Sequence, residues 1–338
     1  MRFLITGGCG FLGSHVTRAC LGLDPQLTIV NADCLTYAGS LDNLGEAAND
    51  PRHTHAKVDI SDAESFAALW TDPFDLVLHF AAETHVDRSL EDAARFVRTN
   101  VLGTQMVLEM ALRQKERHGT LCPVIVISTD EVYGPATKGQ MFGIGDPLRP
   151  TSPYAASKAS ADWLALSYAR TFGLDVTIIR SVNVYGPRQY PEKVIPLFTT
   201  RALTGEPLPL YGSGRQRRCW LYVDDYVSGI MRILSDHQLR QERPIWHLGS
   251  PHETDNYSLA RMICDACGAD PALITMVPDR PGHDLRYALD FSQTARVFGW
   301  QPAIDMAEGL KRTVAWIRQN RDWCLARSQW APPFLRRN

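Results

Sequence analysis

No apolar stretch in the 338 residues approaches the roughly 18 consecutive residues that a membrane-spanning helix needs, so no membrane span is expected. The amino-terminal "MRFLITGG" is apolar but runs at once into a glycine turn. It lacks the longer apolar core and small-residue cleavage site of a secretory signal. Excess charge of either sign is missing too: 35 Lys and Arg face 37 Asp and Glu, a formal net charge of −2. That balance gives no general pull toward nucleic acid or an anionic membrane, and an anionic ligand would need a local basic pocket. Clustered cysteine is absent. Of eight cysteines the only close pair is Cys264 and Cys267, and no second pair at metal-site spacing accompanies it. Neither a disulfide framework nor a metal site is expected, and free thiols suit a reducing cytoplasm. There are no internal repeats and no low-complexity tracts.

What is present is alternation. Short β-type runs ("RFLIT", "LTIVNA", "HTHAKV", "DLVLHF", "PVIVI", "DVTIIR") are separated by helical patterns at Phe11–Leu21, Ala93–Arg117 and Pro153–Phe172. Six such runs predict an α/β fold, a doubly wound parallel (Rossmann) sheet with helices on both faces. From about Asn183 the rhythm breaks and proline and glycine become dense. At this length a single core begins to split, so two lobes are expected. The first covers residues 1–182, with 220–248 returning to it; the second, a smaller α/β lobe, covers 183–338.

The first strand runs into "TGGCGFLGS", with Gly7, Gly10 and Gly13 spaced three apart. Glycines allow a tight turn and close approach of backbone to a pyrophosphate. The helix starting near Phe11 would aim its positive end at that anion. The second strand ends at Asp33, where a carboxylate accepts from both ribose hydroxyls and repels a 2′-phosphate, favouring NAD over NADP. Asp59 ends the third strand. It either hydrogen-bonds an adenine amino group or caps a helix starting near Ser61.

"SPYAASKAS" places Tyr154 and Lys158 four apart, on one face of a helix. A free phenol has a pKa of about 10, and a neighbouring ammonium would lower it by favouring the phenolate. "STDEVYG" follows the apolar "PVIVI". Thr129, Asp130 and Glu131 therefore fall at the carboxyl end of a strand, where ligands bind in such sheets. A capping Asp beside a solvated Glu is the bland reading. The other is a split of acid and base roles between adjacent carboxyls whose surroundings differ.

Taken together, "LTYAGSLDNL", "HFAAETHVDRS", "STDEVYG", "SPYAASKAS", "YGP…PEKVIPL" and "DRPGHDLRYALD" make the chain resemble the extended short-chain dehydrogenase/reductases over nearly its whole length. Within them it is similar to the dTDP-glucose 4,6-dehydratases. The resemblance implies an enzyme that uses NAD and releases a 4-keto-6-deoxy sugar. Tyr154 would take the proton of the sugar 4-hydroxyl as hydride leaves C4, with Lys158 beside it and Thr129 on the same oxygen. Glu131 would remove the acidified C5 proton. Asp130 would protonate the departing 6-hydroxyl, and the hydride would return to C6. Further cofactor contacts implied by the same likeness are Phe11, Leu12, Leu35, Thr36, Ile60, Ala81, Ala82, Thr84 and Thr99. For the nucleotide sugar it implies His85, Arg88, Asn183, Lys193, Val194, Arg218, Arg280 and His283. Arg geometry suits bidentate phosphate contacts. It also implies a homodimer paired through the Tyr-bearing helix and its neighbour.

The chain departs from that family in places. Cys219 stands where an acidic residue usually precedes the Trp, and Arg217 where an aliphatic residue is common. "FGIGDPL" lacks an acidic pair, "IIRSVNVYGP" replaces a more usual "NCSNNYGP", and Thr84 replaces Ser. None of these removes a catalytic group. UDP-glucose or another NDP-hexose stays open as substrate, as does a nucleotide-sugar 4-epimerase or decarboxylase.

Overall fold

The computed structural model describes residues 1–328. Among them are twelve strands: β1 (Arg2–Thr6), β2 (Thr28–Ala32), β3 (His53–Ala56), β4 (Leu76–His79), β5 (Val124–Thr129), β6 (Val176–Ser181), β7 (Asn183–Tyr185), β8 (Leu208–Tyr211), β9 (Arg217–Tyr222), β10 (Ile245–Leu248), β11 (Glu253–Asp255) and β12 (Ile274–Val277). Seven of them form a parallel sheet in the order β10-β6-β5-β4-β1-β2-β3. Strand order reverses between β1 and β4, which places a crevice at their carboxyl ends, where such sheets bind ligands. The apolar runs at the centre of the sheet become β1, β4, β5 and β6 because they are buried on both faces: Leu4, Val77, Val124, Val126 and Ile178 are each 0% exposed in one core cluster, whereas β3 at the sheet edge is only partly buried. Among the described residues no helix is long and apolar enough to cross a membrane.

Contacts divide the chain into two compact units. The first comprises Met1–Val132, Leu148–Arg180 and Val227–His247; the second comprises Tyr133–Pro147, Ser181–Tyr226 and the described residues from Leu248 onward. Two boundaries differ from the sequence expectation. Residues 220–226 do not return to the large sheet, since β9 pairs with β7 and β11 in a separate three-stranded sheet. The return is made by Val227–His247, which carries β10. The segment Tyr133–Pro147 also joins the second unit, where Phe142 bridges Leu289 and Ala136 donates its N–H to Arg286.

The helix that carries Tyr154 and Lys158 runs Pro153–Phe172, as the pattern predicts. Ser152 caps it by accepting from the Ala155 N–H at 3.1 Å, Pro153 opens it, and Gly173 ends it in the left-handed region. The expected helix over 93–117 is more broken. It is α-helical at Ala93–Phe96, π-helical at Val97–Leu102 and α-helical again at Gly103–His118. The extra residue lets Asn100 turn its amide inward, and such turns gather at functional sites.

Candidate active site

The glycine turn is built first by the protein's own packing. Gly7 has φ +70, and a Cβ there would lie 2.5 Å from the Ala81 nitrogen. A Cβ on Gly13 would lie 2.2 Å from the Gly7 carbonyl oxygen. Both positions are therefore fixed by backbone meeting backbone. Gly10 differs: its φ is −77, and its Cβ would meet only the Gly7 oxygen, at 3.3 Å. The protein itself gives this position little reason to be glycine. An anion seated against the helix Phe11–Leu21 gives one, and no side chain caps that helix start. The residues thus fit a dinucleotide.

Asp33 follows β2 and is 8% exposed. Its Oδ2 accepts from the Cys9 N–H at 2.9 Å and its Oδ1 from the Leu35 N–H at 2.8 Å, so the carboxylate is pinned in place. Burial raises its pKa, against those two N–H donors. Leu35, at φ +54, takes the left-handed bend that lets its N–H reach Asp33. Thr36 is exposed and accepts the Gly39 N–H through its carbonyl. Phe11 and Leu12 open the first helix half-buried.

Of the two alternatives for Asp59, the structure does not bear out the helix cap. Asp59 Oδ1 accepts from the Ser61 N–H and hydroxyl, both at 2.8 Å, but the next helix is Ala63–Ala67, capped by Asp62. Ile60 is buried against Gly103, whose Cβ would come 2.5 Å from its side chain. Ala81 and Ala82 follow β4, half-buried; Thr84 is exposed, and Thr99 lies half-buried in the π-helical turn.

Thr129 is the last residue of β5, and Asp130–Tyr133 is a 3-10 turn. The Thr129 hydroxyl donates to Asp130 Oδ1 at 3.2 Å and accepts from the Glu131 N–H at 3.3 Å. Asp130 is 2% exposed, whereas Glu131 is half-buried. Tyr154, in the first turn of its helix, sits edge-on to Phe96 and shares a hydrogen bond with Thr129. Lys158 is buried and donates from Nζ to the Ile127 carbonyl at 2.6 Å. Thr129, Asp130, Glu131, Tyr154 and Lys158 are thereby brought together within the first unit.

One expectation is corrected. The ammonium of Lys158 was expected to lower the Tyr154 pKa, but that value is raised. Burial is the largest cause and the Glu131 charge the next, and the Thr129 hydrogen bond pulls the other way without prevailing. Burial also presses Lys158 down to about 8.

Several groups at this site were not read from the sequence. His79, on β4, is 1% exposed between two threonines. Thr104 donates its hydroxyl to the Asn100 carbonyl at 2.6 Å, so it must accept from His79 Nε2–H at 2.9 Å. Thr6 accepts from the Ala81 N–H at 3.3 Å and donates to His79 Nδ1 at 2.7 Å. The ring is therefore a fixed neutral tautomer. Asn100 donates from Nδ2 to the Glu83 carbonyl and to Ser157 Oγ, each at 2.9 Å, and accepts from the Glu83 N–H at 2.8 Å. Ser157 in turn donates to the Tyr154 carbonyl at 2.7 Å. His79 and Glu83 lie in "HFAAETHVDRS" and Ser157 in "SPYAASKAS", but Asn100, which joins them, lies outside every such motif and is brought in by the turn at residues 97–102.

His79 gives a pH prediction. Burial, and then the Lys158 charge, lower its pKa from 6.5 to about 3. Below pH 6.5 the unfolded chain binds a proton that the folded chain refuses. Stability is thus complete above pH 6.5 and falls as pH drops toward 3. From pH 6.5 to 5 this group alone removes about 2 kcal/mol. Urea unfolding of wild type and His79→Leu across that range measures it: the variant should be less stable throughout but lose about 2 kcal/mol less on acidification. Parallel curves would refute the assignment.

The remaining expected contacts are dispersed. In the first unit, His85 is the buried residue preceding the helix Val86–Glu91, and the Arg88 guanidinium lies 3.9 Å over the Tyr37 ring. In the second unit, Arg218, Arg280 and His283 gather around two acids. The Arg218 guanidinium stacks 4.2 Å over Tyr287 and donates to the Asp284 carbonyl at 3.0 Å. His283 pairs with Asp279 at 2.7 Å, and burial followed by the Arg280 charge lowers its pKa to about 4. Asn183 belongs to β7, opposite Trp220. Lys193 precedes the helix Val194–Thr204, which Val194 opens. Of the departures, Arg217 pairs with Glu253 at 2.7 Å, and Glu253 also holds Arg286 at 2.9 Å; Cys219 is Glu253's register partner across β9 and β11. Among the described residues no His, Cys, Asp and Glu cluster could hold a metal ion.

The family model described as GDP-mannose 4,6 dehydratase matches residues 4–313. A dTDP-glucose 4,6-dehydratase of Actinoplanes sp. is 44% identical over 328 residues, covering 96% of this chain and 99% of the relative. Its counterpart in Streptomyces antibioticus is 46% identical over 330 residues, covering 96% and 94%. A crystal structure of dTDP-glucose 4,6-dehydratase from Streptomyces venezuelae, solved with NAD bound, superposes with a TM-score of 0.89 at 44% identity, covering 96% of this chain and 98% of that one. With the nucleotide turn, the Tyr154–Lys158 helix and the paired carboxyls in place, the chain belongs to the GDP-mannose 4,6 dehydratase family, among its dTDP-glucose 4,6-dehydratases.

Proposed function

We propose that this chain is a hydro-lyase that uses NAD to convert dTDP-glucose into dTDP-4-keto-6-deoxyglucose. The observation that carries the reading is the turn at the end of β5, where Thr129 bonds Asp130 Oδ1 and the Glu131 N–H and so holds two adjacent carboxyls in unlike burial. Epimerisation at C4 needs no acid and base aimed at neighbouring carbons; loss of water across C5 and C6 needs both. When bound, NAD supplies a hydride acceptor for C4 oxidation and the same hydride for C6.

Each protein group then has a defined task. Tyr154 takes the 4-hydroxyl proton, and Thr129 lowers the cost of the phenolate by turning its one hydroxyl proton from Asp130 Oδ1 to that oxygen. Lys158 supplies positive charge four residues along the same helix face. Once C4 is a ketone, the carbanion at C5 is delocalised onto it, and Glu131 removes that proton. Asp130 delivers a proton to the 6-oxygen as water leaves, and C5 takes a proton back once C6 has received the hydride. Gly10, the first-helix N-terminus and Asp33 hold the dinucleotide; Phe11, Leu12, Leu35, Thr36, Asp59, Ile60, Ala81, Ala82, Thr84 and Thr99 complete its lining. His85, Arg88, Asn183, Lys193, Val194, Arg218, Arg280 and His283 bind the nucleotide sugar, Arg218 and Arg280 bringing the positive charge a diphosphate needs in a chain of net charge −2. The names of the relatives favour dTDP as the nucleotide.

The purified protein, incubated without added reductant with dTDP-[4-²H]glucose, should release a product lighter by one water with deuterium at C6. Retention of the 6-hydroxyl would establish an epimerase instead. Parallel reactions with UDP-, GDP- and CDP-glucose fix the nucleotide.

We infer a homodimer from large apolar side chains left at the surface. Trp163 is 60% and Phe172 47% exposed on the redox-pair helix, and Val97 and Leu102 are 54% and 45% exposed before the helix Gly103–His118. Exposed apolar side chains of this size, on helix segments that pack against each other, mark an association surface. Trp163→Glu should shift sedimentation from dimer to monomer; a wild type that sediments as a monomer would sink the inference.

A further inference from the structure

Behind the redox pair lies a charged pair that the proposed steps leave unused. Asp162 stands four residues beyond Lys158 and eight beyond Tyr154, on the same helix face. It is 0% exposed, and Arg180 of β6, 2% exposed, donates from Nε to its Oδ2 at 2.8 Å. As a source of stability such a pair is poor, because desolvating both ions offsets their attraction and apolar residues would serve as well. Its position suggests another use.

The groups that face Lys158 are Tyr154 and Asp162 on its own helix, His79 on β4 and the Ile127 carbonyl on β5, with Arg180 of β6 behind Asp162. His79 is held neutral by its two threonines. Asp130, Glu131 and Asp162 all act on Tyr154, and Asp162 is the carboxylate that also acts on Lys158. We propose that the Asp162–Arg180 pair is a positioning device for the redox lysine: Arg180 keeps Asp162 ionised in the interior, and Asp162 keeps Lys158 an ammonium beside Tyr154. The proposal rests on the reading of Tyr154 and Lys158 as the redox pair. Burial raises the Asp162 pKa, and Arg180 is the largest influence opposing that rise. Burial lowers Lys158 to about 8, and Asp162 opposes that fall. Without the carboxylate, the same burial would carry Lys158 through neutrality, and the Tyr154 phenolate would lose its counter-charge.

Two variants test this. Asp162→Asn removes the carboxylate but leaves the Arg180 charge buried alone, which can unfold the chain. The double variant Asp162→Asn with Arg180→Met removes both charges and avoids that penalty. The protein has six lysines, so ¹³Cε-lysine labelling lets the Lys158 ammonium be titrated directly by NMR, its signal assigned by its loss in Lys158→Met. In the folded double variant the Lys158 midpoint should fall by about 1–2 units. The alkaline limb of the kcat–pH profile should fall with it, so that the rate loss near pH 8 is about tenfold or more and shrinks toward roughly pH 6. An unmoved Lys158 titration, or a rate loss equal at every pH, would overturn the proposal. Full wild-type rate in Lys158→Met would instead overturn the redox-pair reading, with the NMR result on Lys158's charge still standing.

Discussion

Glu131→Gln should leave the protein folded and able to oxidise C4, yet unable to proceed. Its amide cannot accept the C5 proton, so two readouts should disappear together: exchange of C5–H with deuterated solvent, and loss of water. Asp130→Asn should separate them. The C5 proton still leaves, because Glu131 is intact, but the 6-oxygen receives no proton and elimination slows. Each change removes one positioned proton transfer and should lower kcat by about 10²–10⁴. The double variant should lose both readouts, as Glu131→Gln does, because elimination cannot begin before the C5 proton has left. The geometry supports the division. Asp130 is 2% exposed and receives the Thr129 hydroxyl, whereas Glu131 is half-buried and its charge presses hardest on Tyr154. Adjacent carboxyls in unlike surroundings can hold different numbers of protons. Product mass and solvent-deuterium incorporation decide the matter. A Glu131→Gln enzyme that loses water at the wild-type rate would remove the basis of the proposed chemistry.

How much of this could be read beforehand depended on how local each signal was. The strands β1, β4, β5 and β6 were visible because burial on both faces demands continuous apolar runs, and the helix Pro153–Phe172 because Ser152, Pro153 and Gly173 mark its ends. The Tyr154–Lys158 spacing and the glycine turn are short-range as well. What the residues alone could not show is what distant segments do to each other. His79 meets Thr6 across 73 positions, Lys158 meets the Ile127 carbonyl across 31, and Arg180 meets Asp162 across 18. Only the strand order β5-β4-β1 brings the first of these together, and no pattern of period 2 or 3.6 encodes it. The raised Tyr154 belongs to the same class: a Tyr-x-x-x-Lys spacing shows the ammonium but not the burial or the Glu131 charge that outweigh it. The second-unit boundary was misplaced for a similar reason. "CWLYV" reads as a strand in either sheet, and the partner that decides is the antiparallel β11, beyond residue 250.

Alanine substitution along the nucleotide turn should split three glycines into two kinds. Gly7→Ala and Gly13→Ala should damage the fold itself. At Gly7 the φ of +70 strains any L side chain, at a cost of about 1–2 kcal/mol, and the added Cβ lies 2.5 Å from the Ala81 nitrogen. Gly13 is the sharper case, because it sits in a helix, where alanine is favoured over glycine by about 1 kcal/mol. Its Cβ would nevertheless stand 2.2 Å from the Gly7 carbonyl oxygen and 2.8 Å from the Gly8 Cα, both backbone atoms that cannot swing aside. Propensity should lose to contact, with a net destabilisation of about 1–3 kcal/mol, in the range of overpacked cores. Gly10→Ala should behave otherwise. Its only near neighbour is the Gly7 oxygen at 3.3 Å, so thermal unfolding should stay close to wild type while retention of NAD through purification falls sharply, because the methyl group occupies the approach that a pyrophosphate needs. Melting temperature and bound-NAD stoichiometry, measured on the same three proteins, distinguish the cases. If Gly10→Ala keeps its full complement of NAD, the turn is shaped by folding alone and the dinucleotide does not lie where the helix Phe11–Leu21 points.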